Sequence, residues 1–471
     1  MSGVIFYTQA YNAEKTLGRA VESILNQTRG DFLYYIFDDG STDGTSEMIK
    51  DYERSDSRII AQLCDINHKQ TPERIQPFIT FLSSFLDSDD RDGYWAMLDA
   101  DDEYKPEFIE RMMAFIEKND LDIAACGSDN LIAQTGGLVN KKVVDSDLLL
   151  LRDSEFSGRF PEYHWFMRTI WGKLYSLSSL RKCSFENVRG LEYGSDTLFA
   201  TEAFRNAGRI GILAGTLHRY YISPTSVSYI FDSSRIASDQ KLDNAAREFL
   251  TEKCGVIDDA NNDFLQGAYF VATMDTLEVI LKSQIGAVDK ISGLHSIFTS
   301  EQTSRLIAWK GFGDNKQQLR GIVSDWLFMQ QDKLLEPGVT EQVIEILAAL
   351  GSDIGRLMNR SPLLDGMPEG AVVFLRFAVA AVLRGDLRTA LDEVFRLAEG
   401  DIPGEFAEDY LVFAQNVSAA LEYADGWVFF KKQLAAWLVE QKRFDEARIL
   451  VMELNEILTD DDDLRDIEKL L

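Results

Sequence analysis

A chain of 471 residues is long enough for two or three domains at roughly 150 residues each, and 45% hydrophobic with 27% charged residues is the balance of a folded globular protein. Its 77 acidic residues outnumber 48 basic ones, a formal net charge of -29; that surface disfavours nucleic-acid binding and broad adsorption on anionic lipid, though not a local basic patch. The four cysteines lie far apart with no Cys-x-x-Cys pair, so reduced thiols of a cytoplasmic protein are expected rather than a zinc site or a disulfide framework.

The N-terminus enters an apolar strand, Val4–Tyr7, without the basic and apolar regions of a signal peptide. Asn12 is placed to cap a helix in which Leu17, Ala20, Val21, Ile24 and Leu25 recur at helical spacing. Phe32–Phe37 is a second strand, followed by the turn-forming run Asp38 to Gly44 and the helix Thr45–Glu53. Further strands are expected at Ile59–Leu63, Tyr94–Leu98 and Asp122–Cys126. Helices are expected near Pro72–Leu86 and over Pro106–Lys118, where Pro106 suits a first turn. Such alternation predicts a mostly parallel sheet covered on both faces, with ligands bound beyond the carboxyl ends of the strands.

Beyond about Asp232 strand-like runs vanish and helical periodicity continues to Leu471. Two domains are therefore expected, an α/β domain over 1–232 and an all-helical domain over 233–471. The runs Gly385 to Leu391 and Lys442 to Arg448 resemble the turn and second-helix start of a tetratricopeptide hairpin, without a regular repeat period. The longest apolar run, around Ala371–Leu383, contains Arg376 and falls short of the ~20 residues that cross a bilayer. Secreted and integral-membrane readings are set aside, and the run Asp460–Asp463 is read as a solvated connection.

The chemistry-bearing residues are carboxylates at strand ends. Asp38 and Asp39 close one strand, and Asp99-Ala100-Asp101-Asp102 closes another. An Asp-x-Asp turn offers two hard oxygen donors suited to Mg²⁺ or Mn²⁺ bound together with a diphosphate. Alone it is also what a solvated acidic turn looks like. Here it is accompanied by Val4 to Glu14, Ser23 to Thr28, Asp38 to Thr45, Trp171 to Tyr175, Asp196 to Phe199 and Leu217 to Ser228. In this order the segments closely resemble glycosyltransferase family 2, over about residues 1–230.

The resemblance implies the GT-A fold and inverting transfer of a hexosyl- or hexosaminyl-type sugar from a nucleotide-sugar, a UDP-sugar by preference. It places Thr8, Gln9, Ala10 and Tyr11 in the first strand-end loop against the nucleoside, with Glu14 near the ribose or base. Asp39 would accept the imide N–H of a uracil-type base, and Asp99 would face the ribose and the donor sugar. Asp101 would be the direct ligand of Mn²⁺ or Mg²⁺, with His218 as a further ligand or as a structural histidine. Asp38 either contacts the donor or holds the Gly40–Gly44 loop through backbone N–H groups. Asp196 would be the general base, with Ser195 where the family carries Glu; a helix N-cap is the plainer reading of the same residue. Arg219 would clamp the diphosphate or be an ordinary surface arginine, Trp171 and Tyr175 would stack on a sugar or pack the core, and His164-Trp165 stays unassigned.

The acceptor left open is a glycan, a glycolipid-type precursor of a bacterial surface polymer, or a polypeptide held by the helical domain. A non-catalytic nucleotide-sugar-binding scaffold is the other class. The helical half is read as serving acceptor recognition or self-association as a homo-oligomer. The expected location is the cytoplasm, with peripheral association at the inner face of the membrane left open.

Overall fold

The structure is a computed structural model describing residues 3–68, 77–88, 92–188, 193–223, 234–313, 315–330, 338–350, 407–420, 422–459 and 461–471, with a few positions between 389 and 404. The chain divides into two compact units, Met1–Ala272 and Thr273–Leu471.

In the first unit the elements run β1 (Gly3–Ala10), α1 (Leu17–Leu25), β2 (Phe32–Asp39), α2 (Thr45–Ser55), β3 (Ile59–Cys64), α3 (Pro77–Ser88), β4 (Gly93–Met97), β5 (Glu103–Tyr104) and α4 (Phe108–Asn119). Then follow β6 (Ile123–Ile132), β7 (Leu138–Lys142), β8 (Leu148–Leu150), α5 (Asp153–Gly158), α6 (Phe160–Met167), β9 (Lys173–Ser176), α7 (Leu177–Leu180), α8 (Ser195–Asn206), β10 (Ile210–Ile222), α9 (Ser234–Cys254) and α10 (Asp259–Lys282). One ten-stranded sheet is ordered β3-β2-β1-β4-β9-β6-β10-β5, with β7 on β6 and β8 on β10. β3, β2, β1 and β4 are parallel, as is the pair β6–β10, while β9 runs antiparallel between β4 and β6. The sheet is therefore mixed. Only its first half is the all-parallel array that strand–helix alternation implies.

β1, central in the parallel array, is apolar on both faces because helices cover both. Val4 and Phe6 join Leu17, Ala20, Val21 and Ile24 of α1 in one core layer, while Ile5 and Tyr7 join Phe78 and Leu82 of α3 in the other. The alternation is the period-2 geometry of a strand, and the i, i+3, i+4, i+7 spacing of the α1 residues lines one helix face. Pro106 lies ahead of its helix, which begins at Phe108 behind Glu107. Asn12 is not the cap of α1 either, whose N-cap is Thr16 without a side-chain bond.

The expected change of domain at 232/233 follows sequence texture, whereas the change of unit falls inside α10 at Ala272. The reason is packing: Ala246, Phe249 and Leu250 of α9 and Leu265 of α10 belong to the core beneath the sheet. By length and composition α10 is apolar enough to cross a bilayer.

The described part of the second unit is helical. Ser292 and His295 of Ala287–Phe298 bond Gln342 (3.2 Å) and Glu345 (2.5 Å) of Val339–Ala349. Near the C-terminus, Ala424–Glu440 and Phe444–Asn455 form a hairpin that turns through Lys442 at φ 62° and packs Leu434, Leu438, Val451 and Leu454 together. Asp461 is more than a solvated connector: it caps Asp462–Glu468 through the Leu464 N–H (3.0 Å) and pairs with Lys432 (2.7 Å). The run Ala371–Leu383 and all of Gly385 to Leu391 but a few positions lie outside the described residues.

Candidate active site at the carboxyl ends of the strands

The loops after β1 and β2 are laced together by their own short side chains. Asn12 (φ 48°) accepts the Thr42 N–H (2.8 Å), and its own N–H donates to Ser41 Oγ (2.9 Å). Glu14 Oε2 accepts the Gly44 N–H (2.9 Å), so this carboxylate braces the loop at the start of α2. Asp38, fully buried, accepts from the Ser41 N–H (3.1 Å) and from the Ser46 hydroxyl. Of its two readings, holding the Gly40–Gly44 loop is the one found. Gly40 is obligatory here: at φ 74° an added Cβ would lie 2.5 Å from the Ile66 carbonyl carbon.

Asp39 is buried at the end of β2. Its Oδ1 accepts from the His68 N–H (3.0 Å) and meets the His68 ring Nδ1 (2.5 Å), while Oδ2 accepts from Gln9 Nε2 (3.1 Å). A carboxylate offers about four lone-pair sites, so one remains for a further donor. His68 and Phe37 also line a groove of about 580 Å³ with Tyr35, Phe81 and Phe85. His68 follows β3 with no motif around it, and sequence reasoning missed it. Thr8, expected against the nucleoside, is fully buried: its hydroxyl bonds Tyr34 Oη (2.8 Å) and the Leu98 carbonyl (2.7 Å), tying β1 to the end of β4. Ala10 is buried as well, and Tyr11 is 41% exposed on the rim.

The second acidic cluster is the turn after β4, closed by the Asp102 N–H on the Asp99 carbonyl (3.1 Å). Asp99 is half-buried and Asp101 exposed on the rim. Partial desolvation raises the Asp101 carboxyl above its ordinary value, opposed in part by Arg19, whose guanidinium bonds the Asp101 carbonyl and lies 3.7 Å over the Tyr221 ring. Arg219, offered as a diphosphate clamp, pairs with Glu103 (2.9 Å) on the adjacent strand. Asp102 is buried, accepts the Tyr221 N–H (2.9 Å), and has its carboxyl held well above the usual range by burial and by Asp101.

His218 does not face open solvent. Its ring is fully buried, with Nδ1 3.2 Å from Ser128 Oγ and Nε2 3.4 Å from Asp102 Oδ2. Burial holds it neutral, its pKa lowered to about 3. Trp171 stacks on it with ring centroids 4.3 Å apart, and Tyr175 is a core residue bonded to the Ile170 carbonyl (3.0 Å). The sugar-stacking role held open for both aromatics is thus replaced by packing.

A divalent cation, implied by the family, is tested by the donor set. Asp102 Oδ2 and His218 Nε2 are buried acceptors without a hydrogen bond, and 3.4 Å is the separation of two atoms each about 2.1 Å from one ion. Among the described residues no cluster of three or more His, Cys, Asp or Glu side chains closes a cage. A carboxylate with an imidazole suits Mn²⁺ better than Mg²⁺, whose ligands are oxygens, and a diphosphate and water would supply the remaining ligands.

Asp196 is half-buried in the first turn of α8. The N-cap is Gly194 at φ 82°, so Asp196 is not the cap. Its charge reaches Lys173 and Tyr175, and Thr197 beside it donates to the Arg168 carbonyl (3.2 Å). His164, Arg168 and Thr197 also line a cavity of about 50 Å³ with Asp239, Asp243 and Tyr269. Should Asp196 be structural, Glu192 and His164 are the next candidates for the base, and Glu192 lies outside the described residues.

Four parallel strands β3-β2-β1-β4, an antiparallel strand, then β6 and β10, with acidic turns at the carboxyl ends, form the GT-A arrangement of glycosyltransferases. Comparison with known proteins agrees: residues 7–141 match the model of the family described as glycosyl transferase family 2. The chain is 23% identical over 220 residues to the glycosyltransferase EpsJ of Bacillus subtilis, covering 47% of this chain and 61% of that protein. It is 26% identical over 222 residues to the glycosyltransferase YibD of Escherichia coli, covering 46% and 61%. The chain thus spans about three fifths of the length of these relatives. Among solved structures, TarS 1-349 of S. aureus in complex with UDP-GlcNAc aligns over 84% of this chain and 92% of that one, at 15% identity and a TM-score of 0.42. Over residues 7–141 the chain thus matches glycosyltransferase family 2, and the relatives it resembles are glycosyltransferases.

Proposed function

We propose that the chain is an inverting, metal-dependent glycosyltransferase that takes a UDP-sugar and transfers the sugar to a hydroxyl of a glycan or related surface-polymer precursor. The observation that carries the reading is the Asp39 carboxylate: buried, aligned by Gln9 and His68, and left with one acceptor site. A uracil imide N–H can use that site, and Phe37 and His68 offer ring faces beside it. Asp99 and Asp101 lie at the end of β4, next to β1 in the sheet. Asp101, with Asp102 and His218 beneath it, would hold a divalent ion. When bound, that ion neutralises charge on the departing diphosphate.

The residues of the chain itself then have distinct tasks. Gln9 and His68 orient Asp39, and Asp39 orients the base. Asp196 accepts the proton of the acceptor hydroxyl as its oxygen attacks the sugar. The half-buried position of Asp196, in the first turn of the helix but not at its N-cap, supports this. A scaffold without catalysis is the competing reading. Release of UDP from a panel of UDP-sugars with Mn²⁺, alongside a thermal shift by UDP and GDP, decides between them. A UDP-selective shift with turnover is expected. Equal shifts by UDP and GDP would remove the base assignment, and a UDP shift without any turnover would favour the scaffold.

A further inference from the structure

Most cations described around the strand ends are matched. Lys105 and Lys141 pair with Asp129 (2.8 and 3.6 Å), while Arg19 and Arg219 pair with Glu103 (3.6 and 2.9 Å). Two are not. Among the described residues neither Lys142 nor Arg168 pairs with a carboxylate, although acidic residues exceed basic ones by 29 in the chain. Both are half-buried. Lys142 ends β7, and its ammonium donates to Thr169 Oγ1 (3.3 Å) while lying 5.0 and 5.2 Å from the Phe166 and Trp171 rings. Arg168 lies over the Trp165 ring at 5.4 Å. Lys173, fully buried, fills the floor: it donates to the Thr169 carbonyl (2.5 Å), Thr169 Oγ1 (3.1 Å) and the Trp171 carbonyl (3.1 Å). Three basic side chains thus converge on the segment 168–173, with burial driving Lys173 toward its neutral form, and Thr197 ties the segment to the first turn of α8.

Two half-buried cations with aromatic contacts and no carboxylate bonded to them among the described residues, although Asp239 and Asp243 line a cavity with Arg168, carry a desolvation cost that an incoming anion would offset. We infer that Lys142 and Arg168 form an oxyanion site beside Asp196, taking a phosphate or carboxylate of the acceptor and so setting which anionic acceptor is glycosylated. The inference rests on reading the Asp196 side as the acceptor side. It explains how an acidic chain tolerates an anionic acceptor, because local cations oppose the repulsion of the whole surface. Burial, with Arg168 adding to it, pushes Lys142 down to about 7. An oxyanion at this place would restore its charge.

The experiment is a calorimetric titration of the full chain with glycerol phosphate and with glucuronate, each with and without saturating UDP and Mn²⁺. The wild type should bind at least one probe in the presence of UDP, and the probe that binds separates a phosphate from a carboxylate. Lys142→Met and Arg168→Gln should each weaken it roughly tenfold or more, the effect of losing one charged hydrogen bond. UDP affinity should stay within about twofold, and Lys142→Arg should retain binding even if Lys142→Met melts early. Failure of both probes to bind wild type overturns the inference. So does a loss of UDP affinity in step with probe affinity, which would assign the cations to the donor diphosphate. If UDP itself does not bind, the proposed function falls while the probe titration still reads the site.

Discussion

The two halves of the sheet hold their polar groups by different means. In the parallel half, β3-β2-β1-β4, short polar side chains of the loops after β1 and β2 accept from nearby backbone N–H groups: Asp38 from Ser41, Glu14 from Gly44, Asn12 from Thr42. In the mixed half, single residues far apart in the chain meet: Asp102 with Tyr221, Ser128 with His218, Thr197 with the Arg168 carbonyl. The first kind of order is local, made within two adjoining loops by side chains that brace the backbone beside the strand ends. The second is a buried polar network, costly to disturb because each unpaired group stays away from water.

Replacing Asp101 and Asp102 in turn sharpens that contrast most. Asp101→Ala should abolish sugar transfer with an unchanged melting temperature, because an exposed rim carboxylate contributes little packing. Asp102→Ala should lower the melting temperature too, since the Tyr221 N–H is left unsatisfied at ~1–3 kcal/mol. Equal melting of the two variants would erase the distinction, and transfer by Asp101→Ala at near wild-type rate in Mn²⁺ would remove Asp101 from the metal site.

Next in size is Asp196→Asn, which should lower transfer roughly 10²–10⁴-fold, the contribution of a general base, without loss of UDP affinity. Because Gly194 is the N-cap, stability should hold. Early melting with normal transfer by the folded fraction would instead mark a structural carboxylate.

Asp39→Ala should weaken UDP by roughly ten- to a hundredfold, as expected for a hydrogen bond to a charged group, and should erode preference over GDP. His68→Ala should do so more weakly, since it acts through Asp39. A His68 variant that binds UDP as poorly as Asp39→Ala would mean that the ring contacts the nucleotide directly.

The smallest effect is on stability against pH. Burial lowers His164 to about 3, with Arg168 and Lys142 adding to it. The folded pKa lies below the ordinary 6.5, so the unfolded chain takes up the proton first, and the stability present above 6.5 is lost as pH falls toward 3. Between pH 7 and 5 this amounts to roughly 2 kcal/mol. His164→Gln should flatten the fall in melting temperature over that window. An unchanged slope would place the acid sensitivity in other groups.

The amino-acid sequence by itself determined the parallel half. Apolar strands, helix faces such as Leu17, Ala20, Val21 and Ile24, and the acidic turns are signals carried within a few residues, and hydrogen bonding within a turn depends on little else. The ordered motifs likewise sufficed for the family. Only the tertiary structure decided that β9 runs antiparallel between β4 and β6, that α9 and the first part of α10 complete the first unit, and that His218 lies buried against Asp102 while His68 serves Asp39. A strand's own pattern is compatible with many neighbours, and a lone histidine or lysine looks the same in sequence whether solvent or a carboxylate surrounds it. Those outcomes depend on which distant segments arrive beside it, and that is settled by packing the whole core at once.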